Sequence, residues 1–198
     1  MISCILLAAG LSTRFESVKS LVKIQNETLI ERLQNQLLSI KIDEMIIVLG
    51  AHSDQIRPFI LEHKKIRVVY NKDYNFGQTS SFQKGLADLT PEMDGALLLP
   101  VDYPAIQPLT INTIIEQFKK NRPHILIPTF NGHRGHPPIF NNKLIPELLG
   151  LNPKQQGINS IFDNHKLEIN YIEVPDPGIL ETFNTLKEWE SIKIKCKF

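Results

Sequence analysis

The chain has 198 residues, which at roughly 100–200 residues per domain reads as one domain over residues 1–198. Lysine plus arginine is 22 and aspartate plus glutamate is 21, a net charge of +1. That balance argues against a general nucleic-acid or membrane-surface binder, which needs a basic excess. Cys4 and Cys196 are the only cysteines and make neither a disulfide framework nor a zinc box. No apolar run approaches the roughly 18 residues of a membrane span. Met1–Ala9 is apolar, lacks a basic segment and is interrupted by Gly10, so it reads as a first strand and not a signal peptide. The expected compartment is a reducing cytosol.

Residues 2–8 form a short apolar run bounded by Gly10, the length of a buried strand. A polar loop follows from Leu11 to Ser20. Over 28–41, Leu29, Ile30, Leu33, Leu37 and Leu38 recur at helical spacing, with Thr28 suited to cap the helix. Residues 44–49 read as a second strand ending at Gly50. A helix is predicted over 53–63 with Ser53 as its cap, although Pro58 weighs against it. The β-branched and aromatic run at 66–70 predicts a third strand. A helix over 79–89 and a fully buried fourth strand over 95–101 follow. Then come a helix over 109–120 and a fifth strand over 124–129. Asn131-Gly132 and Gly135 mark a tight turn, with a strand returning over 137–140. Short helices at 142–149 and 157–164, a late strand over 168–174 and a helix over 185–191 complete the order.

Strands alternating with helices imply βαβ units and a mostly parallel sheet, and the returning strand adds an antiparallel member. The continuous apolar character of strands one and four implies cover on both faces. Ligands of such sheets bind beyond the carboxyl ends of the strands. Attention therefore falls on the segments after strands one and four.

After strand one stands Ala8-Ala9-Gly10-Leu11-Ser12-Thr13-Arg14-Phe15-Glu16-Ser17-Val18-Lys19. It is neither a Walker loop nor a dinucleotide fingerprint. Small residues at 8–10 let a ligand approach the backbone. Ser12 and Thr13 add hydroxyls, and Arg14 and Lys19 add cations, a set suited to a polyphosphate. The same residues also suit an ordinary loop with solvated charges. Strand four ends in Pro100-Val101-Asp102-Tyr103-Pro104. A carboxylate there is placed to ligate Mg²⁺, or to cap the following turn.

Together these segments resemble the family of molybdenum cofactor nucleotidyltransferases, and most closely its cytidylyltransferase branch. That family's pattern runs roughly LAAGxSxRxGxxK, GxxxSxxxG, PxDxP, GxRGHP and a late D/N-x-D/N-T. Leu7, Ala8, Ala9, Gly10, Ser12, Arg14 and Lys19 match the first block, and Gly77, Ser81 and Gly85 the second. Pro100, Asp102 and Pro104 match the third. Gly132 and Arg134-Gly135-His136-Pro137 match the fourth, and Asn184-Thr185 the last. The blocks keep their order and span nearly the whole chain.

The resemblance implies an α/β protein with a Rossmann-like three-layer nucleotidyltransferase fold and a mostly parallel mixed sheet. It implies attack by a substrate phosphate on the α-phosphorus of a nucleoside triphosphate, with release of pyrophosphate. Arg14 and Lys19 would neutralise the triphosphate and the charge that develops on it. Asp102 would hold Mg²⁺, with Asn184 completing the metal site. Leu7, Ala8, Ala9, Gly10, Ser12, Ser81 and Pro100 would line the nucleotide site. CTP is favoured because the guanylyltransferase branch carries LAGG where this chain has Ala8-Ala9-Gly10. Arg134 and His136 would face a molybdopterin-type or other phosphorylated acceptor, although His133 and His136 also suit a turn with satisfied imidazoles. A molybdoenzyme or its chaperone would be a protein partner; nucleic acid and membrane would not.

The chain departs from the pattern at several places. Glu16 replaces a glycine and is expected to face solvent. Val18 replaces the proline before Lys19. Thr182 and Asn184 stand where the family has an acidic pair, and Gln156-Gly157-Ile158-Asn159 lacks the usual Asp and Arg around the glycine. Other readings of the same motifs are a nucleotidyltransferase using GTP or acting on a sugar phosphate or phosphocholine, and a non-catalytic nucleotide-binding domain.

Overall fold

The computed structural model describes residues 1–15, 17–155 and 157–196; Glu16 and Gln156, both singled out above, lie outside the described residues. The first half of the chain runs β1 (Ile2–Ala8), β2 (Lys23–Ile24), β3 (Glu27–Thr28), α1 (Leu29–Leu38), β4 (Glu44–Leu49), α2 (Ser53–Ile56), β5 (Ile66–Tyr70), α3 (Gly77–Leu86) and β6 (Gly95–Pro100). The second half runs α4 (Pro108–Asn121), β7 (Ile125–Phe130), β8 (His133–Arg134), β9 (Ile139–Asn141), α5 (Ile145–Gly150), α6 (Asn159–Asn164), β10 (Ile169–Glu173) and α7 (Leu186–Cys196). Among the described residues no helix is long and apolar enough to cross a membrane.

The main sheet has the order β10-β7-β9-β6-β1-β4-β5, with β8 paired to β7. β9 runs antiparallel between β6 and β7, and β8 is antiparallel to β7; the other pairs are parallel. The sheet is therefore mostly parallel and mixed. Because the pleat alternates, β1 sends Cys4, Leu6 and Ala8 into one core and Ile5 and Leu7 into the other. α1, α4 and α7 cover the first face with Leu33, Leu37, Ile114, Phe118 and Trp189. α3, α5 and α6 cover the second with Phe82, Leu148 and Ile161. The result is a three-layer α/β/α sandwich.

The helix predicted over 53–63 is cut short. α2 ends at Ile56 and a 3₁₀ turn, Arg57–Phe59, follows. Pro58 has no N–H to give and its ring crowds the preceding turn, so the α-helix cannot run through it. The residue before the helix is His52, whose side chain makes no cap bond. The β2–β3 ribbon has no counterpart in the sequence reading, since two-residue strands carry too few positions to show a period. The last helix runs five residues beyond the predicted end, to Cys196.

Strand order fixes where a ligand can sit. From β1 the chain builds outward through β4 and β5, then returns to lay β6 on the other side of β1. The reversal opens a crevice at the carboxyl ends of β1 and β6. Register puts Leu7 beside Pro100 and Ala8 beside Leu49, so the loops after three strands leave the sheet at one level.

Candidate active site

A cavity of about 610 Å³ fills that crevice. Leu7, Ala8, Ala9, Gly10, Ser12, Arg14 and Lys19 line it from the first loop, Pro100 and Asp102 from the end of β6, Ser81 from α3 and Asn184 from the segment before α7. Every residue assigned above to the nucleotide or the metal meets there. His136 lines this cavity and a second one of about 530 Å³, whereas Arg134 lines only the second. The two spaces adjoin, sharing Gln78, Tyr103 and His136.

The first loop is anchored by Phe15, which is fully buried and meets Phe183 edge-on at 5.2 Å between ring centroids. Phe183 in turn packs on Trp189 of α7 at 4.8 Å. This aromatic stack holds the loop against the C-terminal segment. It brings Lys19 to Asn184, 165 residues away: Nζ donates to Asn184 Oδ1 at 2.9 Å and to Asp102 Oδ2 at 3.2 Å. Arg14 donates to the same Asn184 oxygen at 3.0 Å. The Lys19 backbone N–H donates to Ser12 Oγ at 3.3 Å, closing the loop.

α3 adds the second wall. Gly77 has φ +83°, a conformation glycine adopts without the Cβ penalty, and it opens the helix toward the cavity. The positive end of this ten-residue helix suits an anion there. Gly85, on the same helix face, has no room for a Cβ against Ile5 and Val48, so α3 lies close on β1 and β4. Ser81, between them, receives a hydrogen bond from buried Asn71 at 3.0 Å.

The second cavity is built where the chain turns after β7. Arg134 pairs with Thr129, Gly135 N–H donates to Pro128 O at 2.8 Å, and His136 N–H donates to Ile179 O at 3.0 Å. A Cβ on Gly135 would fall 2.6–2.7 Å from Ile179, so this wall requires glycine. The Arg134 guanidinium lies 5.1 Å from the Tyr171 ring centroid. The His136 ring packs at a tilt of 41° against Tyr103, 4.2 Å between centroids, and its Nδ1 is buried with no hydrogen-bond partner. Burial pushes its pKa below the ordinary value, only partly offset by the Leu98 backbone and the Asp102 charge. The imidazole is therefore neutral at neutral pH, and Arg134 is the cation among the described lining residues of this cavity. The Tyr103 phenol, pushed up to about 12 by burial and by Asp102, stays protonated and can donate. Gln78, Tyr103 and Phe15 were missed by the sequence reading. Each lies inside or beside a matched block, but only the fold shows which way it points.

The fit of a divalent metal follows from the donor set. Among the described residues no group of three or more His, Cys, Asp or Glu is placed to hold a metal. Asp102 is the one carboxylate among the described residues lining the first cavity, with the Asn184 amide oxygen near it. Mg²⁺ is commonly held by one or two carboxylates together with substrate phosphates. The residues fit a metal shared with a triphosphate, and do not form a closed protein cage.

A doubly covered α/β sheet with two cations, one carboxylate and a helix N-terminus around its switch-point crevice defines a nucleotide-handling protein of the nucleotidyltransferase type. The chain belongs to the MobA-like NTP transferase domain family, whose pattern matches residues 4–169. A protein of Natranaerobius thermophilus named "Probable molybdenum cofactor guanylyltransferase" is 28% identical over 141 residues, 70% of this chain and 64% of that protein. The chain thus matches just under two thirds of that relative's length. The molybdenum cofactor cytidylyltransferase of Escherichia coli K12 is 23% identical over 191 residues, 94% of this chain and 96% of that protein. A crystal structure of the Rv0371c protein of Mycobacterium tuberculosis H37Rv shares the fold, with a TM-score of 0.83, 22% identity and 97% of each chain covered. A further structure of that protein was solved in complex with manganese, with a TM-score of 0.73, 20% identity, and 96% of this chain and 97% of that one covered.

Proposed function

We propose that residues 1–198 act as a single Mg²⁺-dependent nucleotidyltransferase domain that moves CMP from CTP onto the phosphate of a molybdopterin-type acceptor in the cytosol, releasing pyrophosphate. The observation that carries this reading is the pair of adjoining cavities. The first gathers Arg14, Lys19, Asp102 and the α3 N-terminus, and the second presents the Arg134 cation and the aromatic faces of Tyr103 and Phe162. Two substrates, one in each, meet at the shared wall of Gln78, Tyr103 and His136.

On this reading the chain works by positioning and by charge. Arg134 orients the acceptor phosphate toward the shared wall. Arg14 and Lys19 bind the outer phosphates and take up the charge that develops on the departing pyrophosphate. Asp102 and Asn184 would hold Mg²⁺, which supplies Lewis-acid neutralisation of the phosphate oxygens. Neutral His136 and protonated Tyr103 supply hydrogen bonds at the wall without adding charge. The choice of CTP rests on Ala9, which stands where the guanylyltransferase pattern has a glycine.

The test measures pyrophosphate release with molybdopterin and each nucleoside triphosphate in turn. CTP turnover is expected to exceed GTP turnover, and Asp102→Ala is expected to abolish it while far-UV circular dichroism stays native. Full activity in Asp102→Ala overturns the site, and preference for GTP overturns the nucleotide assignment. Turnover only with a sugar phosphate or phosphocholine replaces the acceptor.

A further inference from the structure

The Lys19 ammonium sits between the two oxygens assigned to the metal. Its Nζ is 3.2 Å from Asp102 Oδ2 and 2.9 Å from Asn184 Oδ1. It is well enclosed, with 13% of its side-chain surface exposed against 23% for Asp102, and the Phe183 ring centroid lies 5.5 Å away. A divalent ion held by both oxygens would have to compete with the ammonium for the same two acceptors. Arg14 adds a second cation on the Asn184 oxygen at 3.0 Å. The nearby carboxylate of Glu188 is taken up by the backbone N–H groups of Asn184 and Thr185, at 2.6 and 3.0 Å. Asp102 is thus already ion-paired, and the neighbouring lining residues Thr182 and Asn184 carry no charge that could compete with it for Lys19.

We propose that Lys19 is the resident cation of this site and excludes divalent metal until a triphosphate arrives. Resting on the nucleotide-site reading above, the proposal has the phosphates draw Lys19 and Arg14 onto themselves. That uncovers Asp102 and Asn184 for a metal carried in with the nucleotide. Lys19 is then both a phosphate ligand and a gate that makes metal uptake depend on nucleotide.

The experiment is a titration of Mn²⁺ into the full chain, read by loss of the free-ion electron paramagnetic resonance signal, first without nucleotide. The wild-type protein is expected to take up no Mn²⁺ at micromolar concentrations. Lys19→Gln, which removes a charge next to the ligand oxygens, is expected to bind Mn²⁺ at least about tenfold more tightly. Lys19→Arg keeps the charge and is expected to exclude the ion as the wild type does. Lys19→Gln combined with Asp102→Asn is expected to lose what Lys19→Gln gained. Equal affinity of wild type and Lys19→Gln, whether both bind or neither does, overturns the gate. Thermal melts establish that each variant is folded, and Lys19→Arg carries the comparison if Lys19→Gln is not: tight Mn²⁺ binding by that variant also overturns it. Adding CTP is expected to bring Mn²⁺ onto the wild type. Absence of any CTP binding overturns the nucleotide-site reading, an outcome distinct from the nucleotide-free comparison.

Discussion

Arg14 and Arg134 are both exposed guanidinium groups, and each meets one of the two cavities. Arg14 is held on Asn184, and Arg134 lies over Tyr171. Their separation gives a residue-level reading of which cavity takes which substrate. A charge-assisted hydrogen bond contributes about 1.5–3 kcal/mol, which corresponds to roughly 10–150-fold in affinity. Arg14→Ala is therefore expected to weaken CTP binding by that factor. Arg134→Ala is expected to leave CTP affinity within about twofold while raising the KM for the acceptor, since its loss removes binding on the other side of the wall. Calorimetric titration of CTP into both variants checks the first half, and steady-state kinetics the second. If Arg134→Ala weakens CTP as much as Arg14→Ala does, the division of the two cavities is wrong.

At the scale of elements, α1 shows how local chemistry sets a boundary. Thr28 Oγ1 accepts the Glu31 N–H while the Glu31 carboxylate accepts the Thr28 N–H at 2.9 Å, a reciprocal capping box. The Thr28 hydroxyl also donates to the Glu31 carboxylate at 2.6 Å, and this bond, with that from the Thr28 N–H, pulls the Glu31 pKa below its usual range. Thr28→Ala is expected to cost about 1 kcal/mol, a fall in melting temperature of roughly 2–4 °C, with Thr28→Ser restoring most of it. A melt unchanged in Thr28→Ala would remove the cap from the account. That boundary was visible in the sequence because a threonine stood directly before a helical repeat of leucines. The strands at 2–8, 44–49 and 66–70 were visible for a similar reason: each is a short apolar run ended by a breaker or a loop. The β2–β3 ribbon was not, because two-residue strands carry no period, and the helix predicted over 53–63 was visible at its start but not in its early end at Ile56. The same limit applies to the site. The loop after β1 and the Asp102 segment could be located from strand ends and motifs. The contact of Lys19 with Asn184 could not, because it depends on Phe15, Phe183 and Trp189 packing across the fold.

The whole molecule has two poles, set by the parallel strands. The carboxyl ends of β1 and β6 carry the cavity, and the amino ends of β1, β4 and β5 carry a buried polar network centred on Glu44. That carboxylate accepts Arg67 NH2 at 2.7 Å, the Thr90 hydroxyl at 2.8 Å and the Thr90 N–H at 3.2 Å, and the Ser3 hydroxyl donates to it as well. One side chain thereby ties β1, β4, β5 and the turn before β6. Glu44 is buried, so removing it strands several donors, although Arg67 is exposed enough to recover water. Glu44→Ala is expected to cost about 2–4 kcal/mol, lowering the melting temperature by roughly 5–15 °C. At about 3.3 Å per residue, the six residues of β4 put this network roughly 16–20 Å from the cavity floor. Nothing described in the cavity lining touches it, so CTP affinity measured well below the melt is expected to stay within about twofold of wild type, since well-separated sites without shared partners act additively. Calorimetric unfolding paired with nucleotide titration on the same variant checks both halves. A variant that melts normally but binds CTP poorly would show that the two poles are coupled through the sheet, and the assignment of Glu44 to stability alone would fall.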